Sequence, residues 1–205
     1  MPTLDFPSIV PSTVSFGIKH NTQINVSTLS GATQTIEIPG ARWVATMSFD
    51  SLEPAEARLM ASFLTKLRGA SGRFKLYDYS HPTHAGTGSV PVAVLVSGTV
   101  LQGDTSINTT GWATITPGEI LLKEGDYIQL EGNEVKMVSA DVVSNGTGAQ
   151  AITFEPPVRT PPSALSSVVI TNCTAIMLLS EDESRWDTDN PGLLSNFNIN
   201  CTEAF

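Results

Sequence analysis

The feature that most restricts the fold of this chain is a single segment with helical spacing in a sequence otherwise composed of strand and turn residues. Five large apolar residues follow one another at spacings of one, three, one and three: Leu59, Met60, Phe63, Leu64 and Leu67. This spacing places them on one stripe of an α-helix. Since no second stripe of this kind occurs, we expect the helix to cover a sheet rather than to join a helical bundle.

The residues around the stripe predict where this helix begins and ends. Pro54 is favoured in a first helical turn, and we expect Asp50 or Ser51 near the N-terminal cap. Gly69 follows the last apolar residue and suits a helix stop. The helix is therefore predicted near residues 54–67, with a length of about 21 Å at the standard rise.

The rest of the sequence favours strands. Charged residues make up only 15% of the chain, and Gly and Pro number 16 and 13, which is typical of strand-and-turn proteins. In the run "RWVATMSFDSL", the residues Trp43, Ala45, Met47 and Phe49 share one face by the strand period of two. We therefore expect a mainly β protein in which this face belongs to the core.

Two turn-rich connectors divide the chain. The first is "HPTHAGTGSVP" after residue 80, and the second is "TPPS" at 160–163. Short strands at regular spacing lie between them, as in a small barrel. Residues 1–86 and 161–205 are thus predicted to form a discontinuous, helix-lidded β-sandwich or split-barrel domain. Residues 87–160 are predicted to form an inserted small β-barrel domain.

Charge and hydropathy exclude several classes of protein. The chain has 20 acidic and 11 basic residues and a net charge of −9, which argues against nucleic-acid binding. The sequence has neither a signal-peptide pattern nor a long apolar run. We therefore expect that the protein is synthesised in a cytoplasm and does not insert into a membrane. Cys173 and Cys201 are the only cysteines, and two buried free thiols are favoured over a disulfide.

No motif predicts catalysis. The sequence contains no nucleophile elbow, no phosphate-binding glycine loop and no His-Glu-x-x-His motif. Asp104 and Asp126 form a nominal carboxylate pair, but nothing in the sequence places them at a catalytic separation. We therefore expect neither an enzyme nor a cofactor.

Two segments have weak similarity to metal sites. His81 and His84 lie in the first connector and would need a third ligand from elsewhere. An Asp-x-Asp pair at Asp187 begins like a calcium loop, but Pro191 occupies the fifth loop position and Asn198 the twelfth, where a bidentate Glu is expected. Solvated loops are the favoured interpretation, so no metal is expected.

Four segments in order resemble a family of tailed-bacteriophage tail proteins, the distal tail proteins. These segments are "PGARWVATMSFDSLEPAEARLMASFLTKLRGASGRFKLYD", "VLQGDTSINTTGW", "LLKEGDYIQLEGNEVKMVSADVVSNGTGAQAITFEPPVR" and "RWDTDNPGLLSNFNINCTEAF". They cover about Gly40 to Phe205, and the residues that they share with the family are structural glycines, tryptophans and apolar positions. Some tail-tip proteins carry a cysteine cluster for iron–sulfur binding, which two cysteines cannot supply.

The resemblance implies a structural subunit of the virion. Family members form a β-rich ring, usually of six copies, that connects the tail tube to the tail tip or baseplate. The implied partners are further copies of the chain and other tail proteins, including the tail tube and the tail-tip or hub proteins. Assembly would take place in the host bacterial cytoplasm, and the finished protein would lie at the tail tip or baseplate of the virion.

A ring needs contacts between different surfaces of neighbouring subunits. Arg42 and Arg68 flank the predicted strand and helix, and the guanidinium group pairs with carboxylates at defined geometry. We expect both at the ring interface; the alternative is that they are ordinary solvated residues.

A second function remains open at this point. The protein would then be a carbohydrate- or receptor-binding accessory tail protein, in which exposed aromatic residues of the inserted domain bind the ligand. The candidates for that role are Trp112, Tyr127 and Phe154. Trp43 lies on the apolar face of its strand, so a core position is favoured for it.

Overall fold

The computed structural model describes residues 3–87, 93–112, 116–189 and 193–205. Strands make up 47% of these described residues and helical residues 10%, with one α-helix among them, so the mainly β fold class is confirmed. The elements in chain order are β1 (Thr3–Asp5), β2 (Thr13–Lys19), β3 (Thr22–Val26), β4 (Thr33–Glu37), β5 (Arg42–Leu52), α1 (Pro54–Leu67), β6 (Arg73–Tyr77), β7 (Val94–Ser97), β8 (Ser106–Thr110), β9 (Ile120–Leu122), β10 (Tyr127–Leu130), β11 (Glu134–Val138), β12 (Val142–Val143), β13 (Ala149–Glu155), β14 (Ser167–Val168), β15 (Thr174–Leu179), β16 (Trp186–Asp189) and β17 (Leu194–Glu203).

The chain forms two compact units, one from residues up to Phe74 together with those from Met177 onward, the other from Lys75–Ile176. The predicted domains instead change over at 86/87 and 160/161. Both observed changes fall inside strands, β6 and β15, so no turn signal in the sequence marks them.

The apolar run after the second connector, "SSVVITNCTAIMLLS", has the composition of one long strand, but the structure does not form one. It is divided between β14, which pairs with β7, and β15, which pairs with β17. Asn172 between them has a φ of 48°, a left-handed conformation that no continuous strand contains. Asparagine tolerates this conformation better than most residues, which explains the interruption.

A seven-stranded sheet has the order β1-β6-β15-β17-β5-β2, with β16 also paired to β17. Trp43, Ala45, Met47 and Phe49 of β5 are all buried, as their alternation predicts. Helix α1 packs against β5 and β17. This sheet and its helix therefore provide the rigid support for the surfaces described below.

Helix α1 has the predicted bounds, but two details of the prediction are wrong. Leu59 is 61% exposed, so the buried stripe consists of the other four apolar residues. The N-cap is Glu53, without a side-chain hydrogen bond, rather than Asp50 or Ser51. The reason is that β5 continues to Leu52 and leaves a single residue between strand and helix.

Four phenylalanines form the aromatic part of the core below α1. Phe6 lies 5.1 Å from Phe63 and 6.0 Å from Phe49, measured between ring centroids, and Phe63 lies 5.6 Å from Phe74. Edge-to-face pairs such as Phe63 with Phe74 add to the free energy gained by burial alone. Phe6 thus adds an aromatic contact with the helix and the sheet to the strand pairing of β1.

The second unit contains a nearly closed, barrel-like sheet of six strands in the order β10-β11-β13-β8-β7-β14. The last gap is bridged by Gln129 and Val169, whose backbone groups exchange hydrogen bonds of 2.8 and 2.9 Å. Sixteen buried apolar residues fill its core, among them Trp112 and Phe154. Closure of this kind removes free strand edges.

Both cysteines are free and buried, as predicted. Burial raises the pKa of Cys173 and that of Cys201 to about 12. Since only the thiolate reacts, we expect the folded protein to react very slowly with an aromatic disulfide reagent near neutral pH, and both thiols to react at once in denaturant. Absorbance of the released thiolate measures this, and rapid labelling of the folded chain would contradict the burial.

Candidate assembly surfaces

The longest exposed stretch among the described residues contains a two-stranded ribbon made of β3, β4 and the turn between them, which we call the arm. Every residue from Lys19 to Pro39 is exposed. Within the described part of the chain, β3 and β4 pair only with each other. The arm continues the pairing of β2 with β5, because Ile38 N–H donates to the Asn21 carbonyl at 2.8 Å beyond the last pair of those strands.

Local sequence explains why the arm forms. Its strands are rich in Thr, Ile and Val, which favour extended backbone. The turn is closed by Ser27 N–H, which donates to the Ala32 carbonyl at 2.9 Å, and Gly31 has a φ of 67°, which glycine adopts at no steric cost. The Ser30–Gly31 dipeptide is typical of such a turn.

The strand register gives the arm two different faces. One face, which we call the aliphatic face, carries the cross-strand pairs Thr22↔Glu37, Ile24↔Thr35 and Val26↔Thr33. All but Glu37 are β-branched. The opposite face, the amide face, carries Gln23, Asn25, Gln34 and Ile36. The aliphatic face is therefore suited to packing against another surface, whereas the opposite amide face is suited to solvent.

A free ribbon of this kind needs a partner for stability. An isolated two-stranded hairpin is at best marginally stable in water, and an unprotected edge pairs with other chains. Natural edges are usually protected by Lys or Pro, but Glu37 is the only charged residue from Asn21 to Ile38, and no Pro occurs there. Leu29 at the tip is 99% exposed. The arm therefore has the properties of an assembly element.

A second uncovered surface is a groove beside α1, which we call the helix groove. Its volume is about 240 Å³, and its lining residues are Pro54, Ala57, Arg58, Ala61, Trp186, Thr188, Leu193, Ser195 and Phe197. Trp186 stacks on Phe197 with ring centroids 5.9 Å apart, yet is 44% exposed. Ala57 and Ala61 are one helical turn apart, so the groove has small side chains on its floor.

The two predicted interface arginines lie on separate elements of this unit. Arg42 is the first residue of β5, at the base of the arm and opposite Lys19 of β2. Its guanidinium carbon lies 4.1 Å from the ring centroid of Phe205, a cation–π contact. The side chain is therefore both exposed and partly oriented by its own chain.

Arg68 is the C-cap of α1. Its φ of 54° and ψ of 52° are left-handed, and Gly69 also has a positive φ, as its predicted role as a helix stop requires. The side chain is exposed and has no ion-pair partner among the described residues. The structure therefore places both arginines at the surface.

No protein-family model matches the sequence, and no curated protein matches it either.

The aromatic candidates for a carbohydrate site are not at the surface. Trp112, Tyr127 and Phe154 are all buried. The indole N–H of Trp112 donates to the Thr109 hydroxyl at 2.8 Å inside the barrel. A sugar-stacking platform requires exposed ring faces, so these three residues cannot form one as they stand. The sequence did not show this, because the alternation around Phe154 fits the inside or the outside of a barrel and no strand period orients Trp112 or Tyr127.

The nominal carboxylate pair has structural roles. Asp126 accepts hydrogen bonds from the backbone N–H groups of Lys123 at 2.7 Å and Ala85 at 2.9 Å. Asp104 accepts from Leu101 N–H at 2.8 Å. Each carboxylate therefore satisfies backbone donors of loops, which is the usual role of aspartate in turns.

The two histidines of the first connector differ in their exposure to solvent, although both were expected to be solvated. His81 Nδ1 lies 3.1 Å from a carboxylate oxygen of Asp78 and the side chain is largely exposed, whereas His84 is half-buried. No cluster of three potential metal ligands occurs among residues 3–87, 93–112, 116–189 and 193–205. Pro191, part of the rejected calcium-loop pattern, lies outside the described residues.

An open, acidic groove of about 500 Å³ lies at the other side of β16 and β17. Its charged lining residues are Asp50, Glu181, Glu183, Arg185 and Asp187. Arg185 pairs with Glu183.

In the part of the chain that the structure describes, no helix is long and apolar enough to cross a bilayer.

Proposed function

We propose that this protein is a structural subunit of a bacteriophage tail and that it assembles through its arm. The ring would contain six copies, as is usual in the family that the sequence resembles, and would connect the tail tube to the tail tip or baseplate. The observation that carries the proposal is the arm, whose 16 residues from Thr22 to Glu37 are all exposed and whose strands pair with no other described strand. An element with this exposure is explained by a partner that covers it.

Ring assembly accounts for several separate features. A closed ring requires that one surface of a subunit meets a different surface of its neighbour, and an arm that projects beyond its sheet provides such a heterologous contact. Arg42 at the base of the arm and Arg68 at the end of α1 are proposed as further contact residues, with carboxylates of an acidic chain as partners. The ring would meet the tail tube on one side and tip or hub proteins on the other.

We expect two aspartates on the aliphatic face to abolish self-association. The variant carries Ile24→Asp and Val26→Asp, because charged groups lose more on desolvation than apolar contacts gain. Light scattering over a range of protein concentration measures the mass. The matched control is Gln23→Asp with Asn25→Asp, which adds the same charge to the amide face of the same strand and should leave the mass unchanged.

The place in the tail is tested on virions. Electron microscopy with labelled antibodies should locate the protein at the tail tip or baseplate. A protein that is monomeric at all concentrations and also absent from virion tails would overturn the proposal. Glycan binding by such a monomer would instead support the receptor-binding alternative.

A further inference from the structure

The arm and the helix groove are complementary surfaces on the same unit, and no described residue covers either of them. The aliphatic face offers branched side chains, Ile24 and Val26 among them, that project from a narrow ribbon. The helix groove offers a floor of small residues and the exposed flank of Trp186. Because all arm residues are exposed, the chain's own arm does not fill its own groove.

The two surfaces also carry complementary charge. Glu37 is the only charged residue of the arm, and it lies on the aliphatic face. Arg58 is the only charged residue among the described residues that line the helix groove. Neither side chain has an ion-pair partner in the described ranges, and both are exposed. Arg58 gives an otherwise neutral groove a positive charge, so the groove favours a partner surface that carries a carboxylate. A second copy of this chain, with its 20 acidic residues, can supply one.

We infer that the aliphatic face of the arm binds the helix groove of a second copy of this chain, with Glu37 of one copy paired to Arg58 of the next. This inference rests on the proposed function and names the partner surface of the arm. Ile24 and Val26 would then contact the floor formed by Ala57 and Ala61. Small helix residues allow such close approach of a strand.

The direction of this contact has a consequence for assembly. Arm and groove are different surfaces, so each copy donates one arm and receives another, and the contact repeats from head to tail. Such a contact closes into a ring when the rotation between copies permits it. The opposite charges of Glu37 and Arg58 favour binding of an arm to a groove. Like charges disfavour contacts between two arms or between two grooves.

A charge-exchange experiment on the full chain tests the inference. Glu37→Arg places two arginines together, and Arg58→Glu places two glutamates together. We expect each single variant to weaken self-association by about tenfold or more, since like charges at an interface are strongly unfavourable. The double variant should recover wild-type association to within about threefold. Sedimentation velocity over a range of concentration measures all four proteins.

Mixing the two single variants gives a second, independent result. The arm of the Glu37→Arg variant would carry an arginine, and the groove of the Arg58→Glu variant would carry a glutamate, so this contact would restore an ion pair with its direction reversed. The opposite contact, between the arm of the Arg58→Glu variant and the groove of the Glu37→Arg variant, would keep the native pair. The mixture should therefore associate as alternating copies more strongly than either variant alone.

Two neighbouring exposed residues of the other unit provide the controls for net charge. Glu124→Arg changes the charge of the chain as Glu37→Arg does, and Lys123→Glu changes it as Arg58→Glu does. Neither control should alter association, because neither residue lies on the arm or the helix groove. A loss of association in the controls equal to that in the test variants would show an effect of net charge rather than of the proposed contact.

The outcomes separate this inference from the proposed function. Loss of association in the aspartate variant of the aliphatic face, without any effect of the charge exchange, would overturn the groove as partner and leave arm-driven assembly intact. Single variants that weaken association without recovery in the double variant or the mixture would also overturn it. A wild-type chain that never self-associates would overturn the second copy as occupant, whereas labelling at the tail tip would still support the tail role.

Discussion

Glu134→Gln is expected to lower the free energy of unfolding by about 3–5 kcal/mol, the usual result of removing one partner of a buried ion pair. Glu134 Oε1 lies 2.6 Å from Lys136 Nζ, and both side chains are buried in the barrel-like unit. Glutamine keeps the shape but not the charge, so the buried ammonium group of Lys136 loses its nearest anion. A urea titration followed by circular dichroism measures the change.

The partner substitution should be less damaging. Lys136→Met leaves Glu134 with backbone N–H donors from Arg159 at 2.7 Å and Thr160 at 3.2 Å, and with the Arg159 side chain at 3.6 Å. The carboxylate is thus still solvated by the protein. Methionine fits the volume of the lysine stem. If Lys136→Met destabilised the protein as much as Glu134→Gln, the remaining donors would not be sufficient for this carboxylate, and the prediction would be wrong.

Leu64→Ala is expected to cost about 2–5 kcal/mol of stability, because it opens a cavity between α1 and the sheet that it covers. Leu64 is 5% exposed, whereas Leu59 is 61% exposed on the same helix. Leu59→Ala makes the same chemical change at the surface and should stay within about 0.5 kcal/mol, as should Lys66→Ala. The three variants are compared by the same titration.

The comparison of Leu64 with Leu59 also tests how the helix is oriented. Helix propensity changes by a similar small amount in both leucine variants, so any large difference reports burial. Equal losses would mean that Leu59 is covered in the folded protein. Leu59 directly follows Arg58, which lines the helix groove. Equal losses in dilute solution would therefore contradict the conclusion that this part of α1 is uncovered.

Local patterns predicted the elements whose neighbours are close in sequence. The stripe from Met60 to Leu67 and the alternation in β5 were enough to predict α1 and the buried face of the sheet, because each needs only one repeating period. The cysteines were also predicted correctly. They are small apolar side chains within strand-like surroundings, and such residues are buried in most folds.

Patterns were less informative where two interpretations share one period. Phe154 alternates with the polar residues Thr153 and Glu155, and this alternation suits the inside or the outside of a barrel, whereas no strand period orients Trp112 or Tyr127. Closure by Gln129 and Val169 decided that all three face the interior. The arm was not distinguished from the rest of the strand-like sequence, although a signal was present: isolated aliphatic residues among Thr, Gln and Asn, almost without charge.

The sequence by itself thus determined the mainly β class, the position of the helix and the apolar face of β5, since these depend on periodicity within single segments. Only the tertiary structure decided that the arm has no partner among the described residues, that Leu59 is exposed, and that the run after Ser163 is divided between two sheets. The physical reason is that burial depends on which distant segment covers a face. Periodicity states which face is apolar, but the covering segment is selected by strand pairing and packing between residues far apart in the chain.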